Sequence, residues 1–118
     1  MYEVAGQMSI FDWMRSKTDD IPVEDMAEDY LIERMQESTG LKFIKKDFTA
    51  GSECRYEAKH KKITYECSLD RLVVEPYSRF IGVGYGSTTE GGGRICDSLQ
   101  KAIDCMKGFI ERFEAKGV

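Results

Sequence analysis

The feature that most constrains this fold is a pair of consecutive segments in which apolar and polar residues alternate. The apolar positions are Cys54, Tyr56 and Ala58 in the first segment and Ile63, Tyr65, Cys67 and Leu69 in the second. A period of two sends successive side chains to opposite faces of a strand. The sequence therefore predicts two half-buried strands that share one core-facing side.

The polar residues between the two segments predict a hairpin. If His60 and Lys61 form a two-residue turn, Cys54 lies directly opposite Cys67 on the core-facing side. Thiols in that position are within disulfide reach. Because we expect a reducing compartment, we predict that both remain free.

A helix is predicted before the hairpin. Asp20 can cap its first turn and Pro22 tolerates the missing N–H there. Gly40 is a typical helix end, so we expect the helix to cover residues 23–39. At 100° per residue its apolar side chains share one half of the surface. The acidic side chains on the other half are Asp25, Glu28, Asp29 and Glu33.

A second helix is predicted at the C-terminal end. Asp97 followed by Gln100 resembles a capping box. The apolar stripe after it consists of Leu99, Ala102, Ile103, Met106, Ile110 and Phe113. Cys96 and Cys105 flank this stripe on opposite sides, so we expect that one metal ion would not bind both.

The remaining segments complete the architecture. Residues 41–48 and 79–85 are predicted strands, and the glycines at alternate positions of the second leave one sheet face bare. The glycine-rich stretch 87–94 is predicted to be a mobile loop. With 42% hydrophobic residues, 118 residues are enough for one core. We predict an α+β domain over residues 21–118 in α-β-β-β-α order, with two helices on one face of an antiparallel sheet of three to four strands, after a flexible tail over residues 1–20.

Charge and hydropathy limit the function. The first 40 residues carry ten acidic and three basic residues, whereas residues 41–79 carry nine basic and six acidic residues. This asymmetry excludes a uniformly basic nucleic-acid binder. No apolar run of 18 residues occurs and no basic segment precedes an apolar block at the N-terminus. We expect a cytoplasmic protein that has no membrane partner, and its oligomeric state stays open.

Catalytic and metal-binding motifs are scarce. The single histidine, His60, lies in a lysine-rich turn without a neighbouring nucleophile or carboxylate, so we predict no catalytic residue and no enzyme activity. His60 with Cys54 and Cys67 could bind zinc, although the hairpin places His60 several residues from both thiols. We predict no cofactor and no metal, and a small zinc-binding structural protein stays an alternative.

The order helix, three strands, helix over residues 23–115 resembles the double-stranded-RNA-binding domain. In that family the last helix opens with phosphate-binding lysines, and the matching stretch here offers Arg94 and Lys101 as possible anion-binding residues. The resemblance implies an alternative function as a nucleic-acid-binding module. Its basic residues on the central strands would be Lys42, Lys45, Lys46, Arg55, Lys59, Lys61 and Lys62.

The segment Gln7-Met8-Ser9-Ile10-Phe11 resembles the pentapeptide that bacterial replication and repair proteins insert into the DNA sliding clamp. The resemblance implies that the Gln7 amide binds the rim of a pocket, while Ile10 and Phe11 fill an apolar cleft next to Met8. We therefore predict a clamp-binding peptide in the N-terminal tail.

The tail and the small size also resemble accessory proteins of phages and integrative elements, which often block host enzymes. Carboxylates along a helix can occupy a basic channel that binds a nucleic-acid backbone, as in RNA-guided nucleases. We expect a non-enzymatic, anti-CRISPR-like interaction protein that inhibits a host-defence nuclease or modulates the replication clamp. The predicted partner-binding residues are Gln7, Met8, Ile10, Phe11, Asp25, Glu28, Asp29 and Glu33.

Overall fold

The computed structural model describes residues 21–47, 52–72 and 78–117. A 3-10 helix, Val23–Asp25, precedes helix α1, Glu28–Thr39, and helix α2, Leu99–Ala115, ends the fold. The strands between them are β1 Ile44–Lys46, β2 Ser52–His60, β3 Ile63–Leu72, β4 Ser78–Gly86 and β5 Gly91–Cys96. They form one antiparallel sheet in sequence order. The predicted α+β class and antiparallel sheet are confirmed, but the predicted three to four strands are too few.

The fifth strand is the glycine-rich stretch that we predicted to be a loop. Gly91, Gly92 and Gly93 pair with the end of β4, and only residues 87–90 turn, closed by a hydrogen bond from Ser87 N to Glu90 O of 2.8 Å. Glycine weakens a strand by its lack of side-chain contacts, but a neighbouring strand can still satisfy its backbone. Pairing with β4 therefore overrides the local preference.

Both helices cover the same face of the sheet. The Tyr56 hydroxyl on β2 donates a hydrogen bond to Glu28 on α1. The Tyr85 ring on β4 makes edge contacts with Phe109 and Phe113 of α2, at centroid distances of 4.8 and 5.1 Å. The other face is uncovered within the described part of the chain, and its Ile95 side chain is 69% exposed. The core lies between the helices and one side of the sheet.

The β2–β3 hairpin has the predicted faces but a different register. His60 pairs with Ile63, so the turn residues are Lys61 and Lys62, and Lys61 has a positive φ of 58°. Cys54 consequently lies opposite Leu69, and Cys67 lies opposite Tyr56. The predicted direct pairing of the two cysteines is wrong by two residues. A shift of two preserves the face, so both thiols remain buried on the helix-facing side.

The predicted helix over residues 23–39 is interrupted near its start. Met26 and Ala27 have extended backbones between the 3-10 helix and α1. The Arg79 guanidinium on β4 donates hydrogen bonds to carbonyl oxygens of three residues there, Val23 at 2.9 Å, Glu24 at 3.2 Å and Met26 at 2.7 Å. A continuous helix would use these carbonyls internally, so the contact from β4 favours the break.

The predicted end of this helix is confirmed, since Gly40 has φ 76°. The predicted cap, Asp20, lies outside the described residues.

Helix α2 begins one residue later than the capping box predicted. Ser98 is its N-cap, and the Ser98 hydroxyl accepts a hydrogen bond of 3.2 Å from Lys101 N. Asp97 instead forms an ion pair of 2.9 Å with the Lys101 ammonium group. The predicted apolar stripe is buried except at Ile110, which is half-buried.

The alternate glycines of β4 lie on the sheet face that no described helix covers. A Cβ at Gly82 would lie 2.7 Å from Ser68 Oγ and 3.1 Å from Asp70 Oδ2, so side chains of β3 lean over this glycine. No other described segment covers the face.

Among the described residues, no helix combines the length and the apolar character needed to cross a membrane.

Candidate functional site

Three exposed carboxylates at intervals of four residues form the acidic ridge, which we define as Asp25, Asp29 and Glu33. Asp25 belongs to the 3-10 helix, and Asp29 and Glu33 lie on successive turns of α1. None of the three forms an ion pair with another described residue. Like charges four residues apart on a helix repel by about 0.2–0.5 kcal/mol. Within the part of the chain that the structure describes, the ridge is therefore a patch of negative charge without a compensating base.

The other carboxylates of these two helices are neutralised by basic partners. Arg71 on β3 binds Glu24 at 3.1 Å. Arg34 binds Glu37 within α1 at 2.8 Å. This contrast defines the ridge, because among the described carboxylates of the two helices only its members lack a basic partner.

Glu28 lies apart from the ridge although we predicted it as a partner-binding residue. Its carboxylate pairs with the Lys45 ammonium group at 2.7 Å and accepts the hydrogen bond from Tyr56. The contact with Lys45 and then that with Tyr56 hold the pKa of Glu28 below its usual value. Burial and the bond to Glu28 raise the pKa of Tyr56. These contacts link α1 to β1 and β2, so Glu28 already has a structural role.

The basic residues predicted for nucleic-acid binding do not form a continuous track. Arg55 on the uncovered sheet face pairs with Glu57 at 2.7 Å and with Glu66 at 2.5 Å. Lys45 pairs with Glu28, and Lys61 pairs with Glu114 at 3.2 Å. The predicted residues without an ion pair among the described ones are Lys42, Lys46, Lys59 and Lys62. Carboxylates thus interrupt the surface along which a phosphate backbone would run.

Arg94 and Lys101, the predicted anion-binding residues, line the same open groove between β5 and α2. The groove has a volume of about 710 Å³, and Phe109 is one of its lining residues. Asp97 and Asp104 line it as well, and Asp97 holds Lys101 in the ion pair described above. The groove therefore balances two bases with two acids, which weakens its attraction for an anion.

We did not predict from the sequence that two thiols line this groove together. Cys96 ends β5, Cys105 lies on the second turn of α2, and both line the groove. The two thiols interact with each other, and this interaction adds to the rise in the pKa of Cys96. The prediction that they lie on opposite sides is wrong, because Cys96 belongs to the strand and faces the helix. Burial raises the pKa of Cys96 to about 11 and also raises that of Cys105, while the nearby Arg94 opposes both shifts.

The residues of the alternative zinc site are separated. His60 lies at the hairpin end and hydrogen-bonds Glu114 Oε1 at 3.1 Å, whereas Cys54 and Cys67 are fully buried in the core. Burial raises the pKa of both thiols, which favours their protonated form. Within residues 21–47, 52–72 and 78–117, no three histidine, cysteine or acidic side chains are grouped so that they could hold a metal ion.

The predicted clamp-binding residues Gln7, Met8, Ile10 and Phe11 lie outside the described residues. The sequence matches no protein-family model and no curated protein, and no similar solved structure was found. The resemblances to the clamp-binding pentapeptide and to the double-stranded-RNA-binding domain therefore stay predictions.

Proposed function

We propose that this chain is a non-enzymatic interaction protein of a phage or mobile element that modulates a host nucleic-acid-handling machine. The acidic ridge is the contact surface, and a basic protein channel is its target. The observation that carries the proposal is that Asp25, Asp29 and Glu33 lack basic partners among the described residues, whereas the other described acids of these two helices are paired.

The energetics of the ridge favour an intermolecular role. Asp29 lies in the first turn of α1, where the helix dipole favours an acid, but Glu33 gains little from that dipole. Glu33 also repels Asp29 one turn away. A basic partner would remove this repulsion. In a channel built for nucleic acid, the carboxylates would take the place of phosphates and block the substrate.

The N-terminal peptide supplies a second contact in this proposal. Gln7, Met8, Ile10 and Phe11 would dock on the DNA sliding clamp, where apolar side chains in a preformed cleft supply most of the binding energy. Alanine at Gln7 and Phe11 should abolish binding of the full chain to purified clamp. Unchanged clamp affinity in this double variant would remove the peptide from the proposal.

The ridge is tested by inhibition of a purified RNA-guided nuclease. Wild-type protein should inhibit cleavage of target DNA. The variant D25N/D29N/E33Q should need at least about tenfold more protein for the same inhibition, because complementary charges speed the encounter of two proteins and fix their relative orientation. The matched control D47N/D104N/E111Q removes the same number of charges elsewhere on the surface. It should stay within about twofold of wild type. An equal loss of inhibition in both variants, or no inhibition by the wild type, would contradict the proposal.

A further inference from the structure

We propose that Cys96 and Cys105 form a reversible disulfide, which makes the β5–α2 groove a site of thiol oxidation. The inference is independent of the proposed function. It starts from the placement of two free thiols, one at a strand end and one on a helix, that line the same groove and interact electrostatically.

The local fold creates this contact. β5 ends at Cys96, Ser98 caps α2, and the helix then packs back against the sheet. Cys105 thereby returns to the end of the strand after eight intervening residues. The segment between them is anchored at both ends by regular structure, so both residues keep their positions on the groove wall.

The two thiols differ in access and in electrostatic environment. Cys96 is buried at 5% exposure, whereas Cys105 is partly exposed at the groove wall. Burial raises the pKa of Cys105, but the nearby Arg94 guanidinium opposes this rise and favours the thiolate. Cys105 is therefore the attacking residue and Cys96 the resolving residue.

The chemistry is a pair of thiol–disulfide exchanges with a low-molecular-weight disulfide as oxidant. The Cys105 thiolate attacks one sulfur of that disulfide, its S–S bond breaks, and the first small thiol leaves with the proton that Cys105 lost. Cys96 then attacks Cys105 Sγ in the mixed disulfide and releases the second small thiol, which takes the proton from Cys96. Two protein thiols are oxidised to one disulfide while one small disulfide is reduced to two thiols.

The other two cysteines provide a natural comparison. Cys54 and Cys67 are 0% exposed, and the hairpin register sets them diagonally rather than opposite each other. A dissolved disulfide therefore has no direct access to either thiol in the folded protein. The oxidation should therefore be selective for Cys96 and Cys105.

The test treats the folded full chain with oxidised glutathione and maps its cysteines by mass spectrometry after alkylation. Wild-type protein should lose two hydrogen atoms in mass, carry a Cys96–Cys105 cross-link, and recover both thiols with a reductant. C96S should accumulate a glutathione adduct on Cys105, because no resolving thiol remains. C105S should stay unmodified at Cys96, and C54S should behave like wild type.

Three results would overturn the inference. They are a Cys54–Cys67 cross-link, a stable glutathione adduct on Cys105 in the wild type, and no loss of thiols in the wild type at oxidant concentrations that oxidise a reference dithiol peptide. The wild-type map decides the matter even if a serine variant fails to fold.

Discussion

Tyr85 occupies the space that Gly92 leaves on the helix-facing side of the sheet. A Cβ at Gly92 would lie 2.9 Å from Tyr85 Oη and 3.1 Å from two ring carbons. The ring is held by Phe109 and Phe113 below and by a hydrogen bond of 3.1 Å from Arg112 to its hydroxyl. The aromatic cluster therefore depends on a missing side chain one strand away.

Substitution of Gly92 by alanine should destabilise the protein. The added methyl group displaces the Tyr85 ring, and overpacking of this kind costs about 1–3 kcal/mol in the free energy of unfolding. Urea denaturation measures the loss. Gly86 on the neighbouring strand is the control, because a Cβ there has no atom within 4 Å. Equal stability of G92A and G86A would show that the ring has room to move.

Glu28 gives the fold a dependence on acid pH. Its pKa is lowered in the folded state, so its contacts contribute stability above its usual pKa, and this contribution is lost as the pH falls through the folded value. E28Q should cost about 1 kcal/mol at pH 7, since hydrogen bonds to a charged group are lost. Its unfolding free energy should also fall less than that of wild type between neutral and acid pH. D29N is the control, and a parallel pH dependence of wild type and E28Q would contradict the assignment.

At the scale of elements, the cap of α2 rests on one hydroxyl. Replacing Ser98 by alanine removes the acceptor for Lys101 N and should lower the free energy of unfolding by about 1 kcal/mol. Asp97, the residue that the sequence predicted as the cap, is the matched control. Its ion pair with Lys101 is exposed to solvent, so D97A should cost clearly less than S98A. Thermal unfolding of both variants distinguishes the two caps, and a larger loss in D97A would restore the original prediction.

Alternation predicted the faces of the strands but not their register. A shift of two residues leaves every side chain on its face, so the pattern at Cys54 and Cys67 is equally compatible with two turns. The positive φ of Lys61 selects one of them, and no glycine or asparagine marks that position in the sequence. The helix break at Met26 was also hidden, because the contact that favours it comes from Arg79, a residue more than 50 positions away.

At the scale of the whole molecule, the sequence predicted which surface is acidic but not which acids are available. Glu24 and Glu28 are matched by Arg71 and Lys45 from strands that follow in the chain, and these pairings depend on tertiary structure. The shared groove of Cys96 and Cys105 was missed for the same reason. Local patterns identify faces, whereas partners across elements follow from the assembled sheet.

The interrupted basic surface predicts weak nucleic-acid binding. In a mobility-shift assay with double-stranded RNA at low salt, we expect no complex at micromolar protein, because Glu57 and Glu66 neutralise Arg55 at the centre of the sheet. The variant E57Q/E66Q should gain affinity if charge alone prevents binding. Tight binding by the wild type that fades steeply with salt would favour the nucleic-acid-binding alternative.

The most direct test of the central claim is the association rate between this protein and a purified RNA-guided nuclease, measured over a series of salt concentrations. We predict that the rate for wild type falls steeply as salt rises, and that D25N/D29N/E33Q associates slowly with little dependence on salt. The same dependence of the association rate on salt concentration in wild type and this variant, or no association at low salt, would contradict a function based on the acidic ridge.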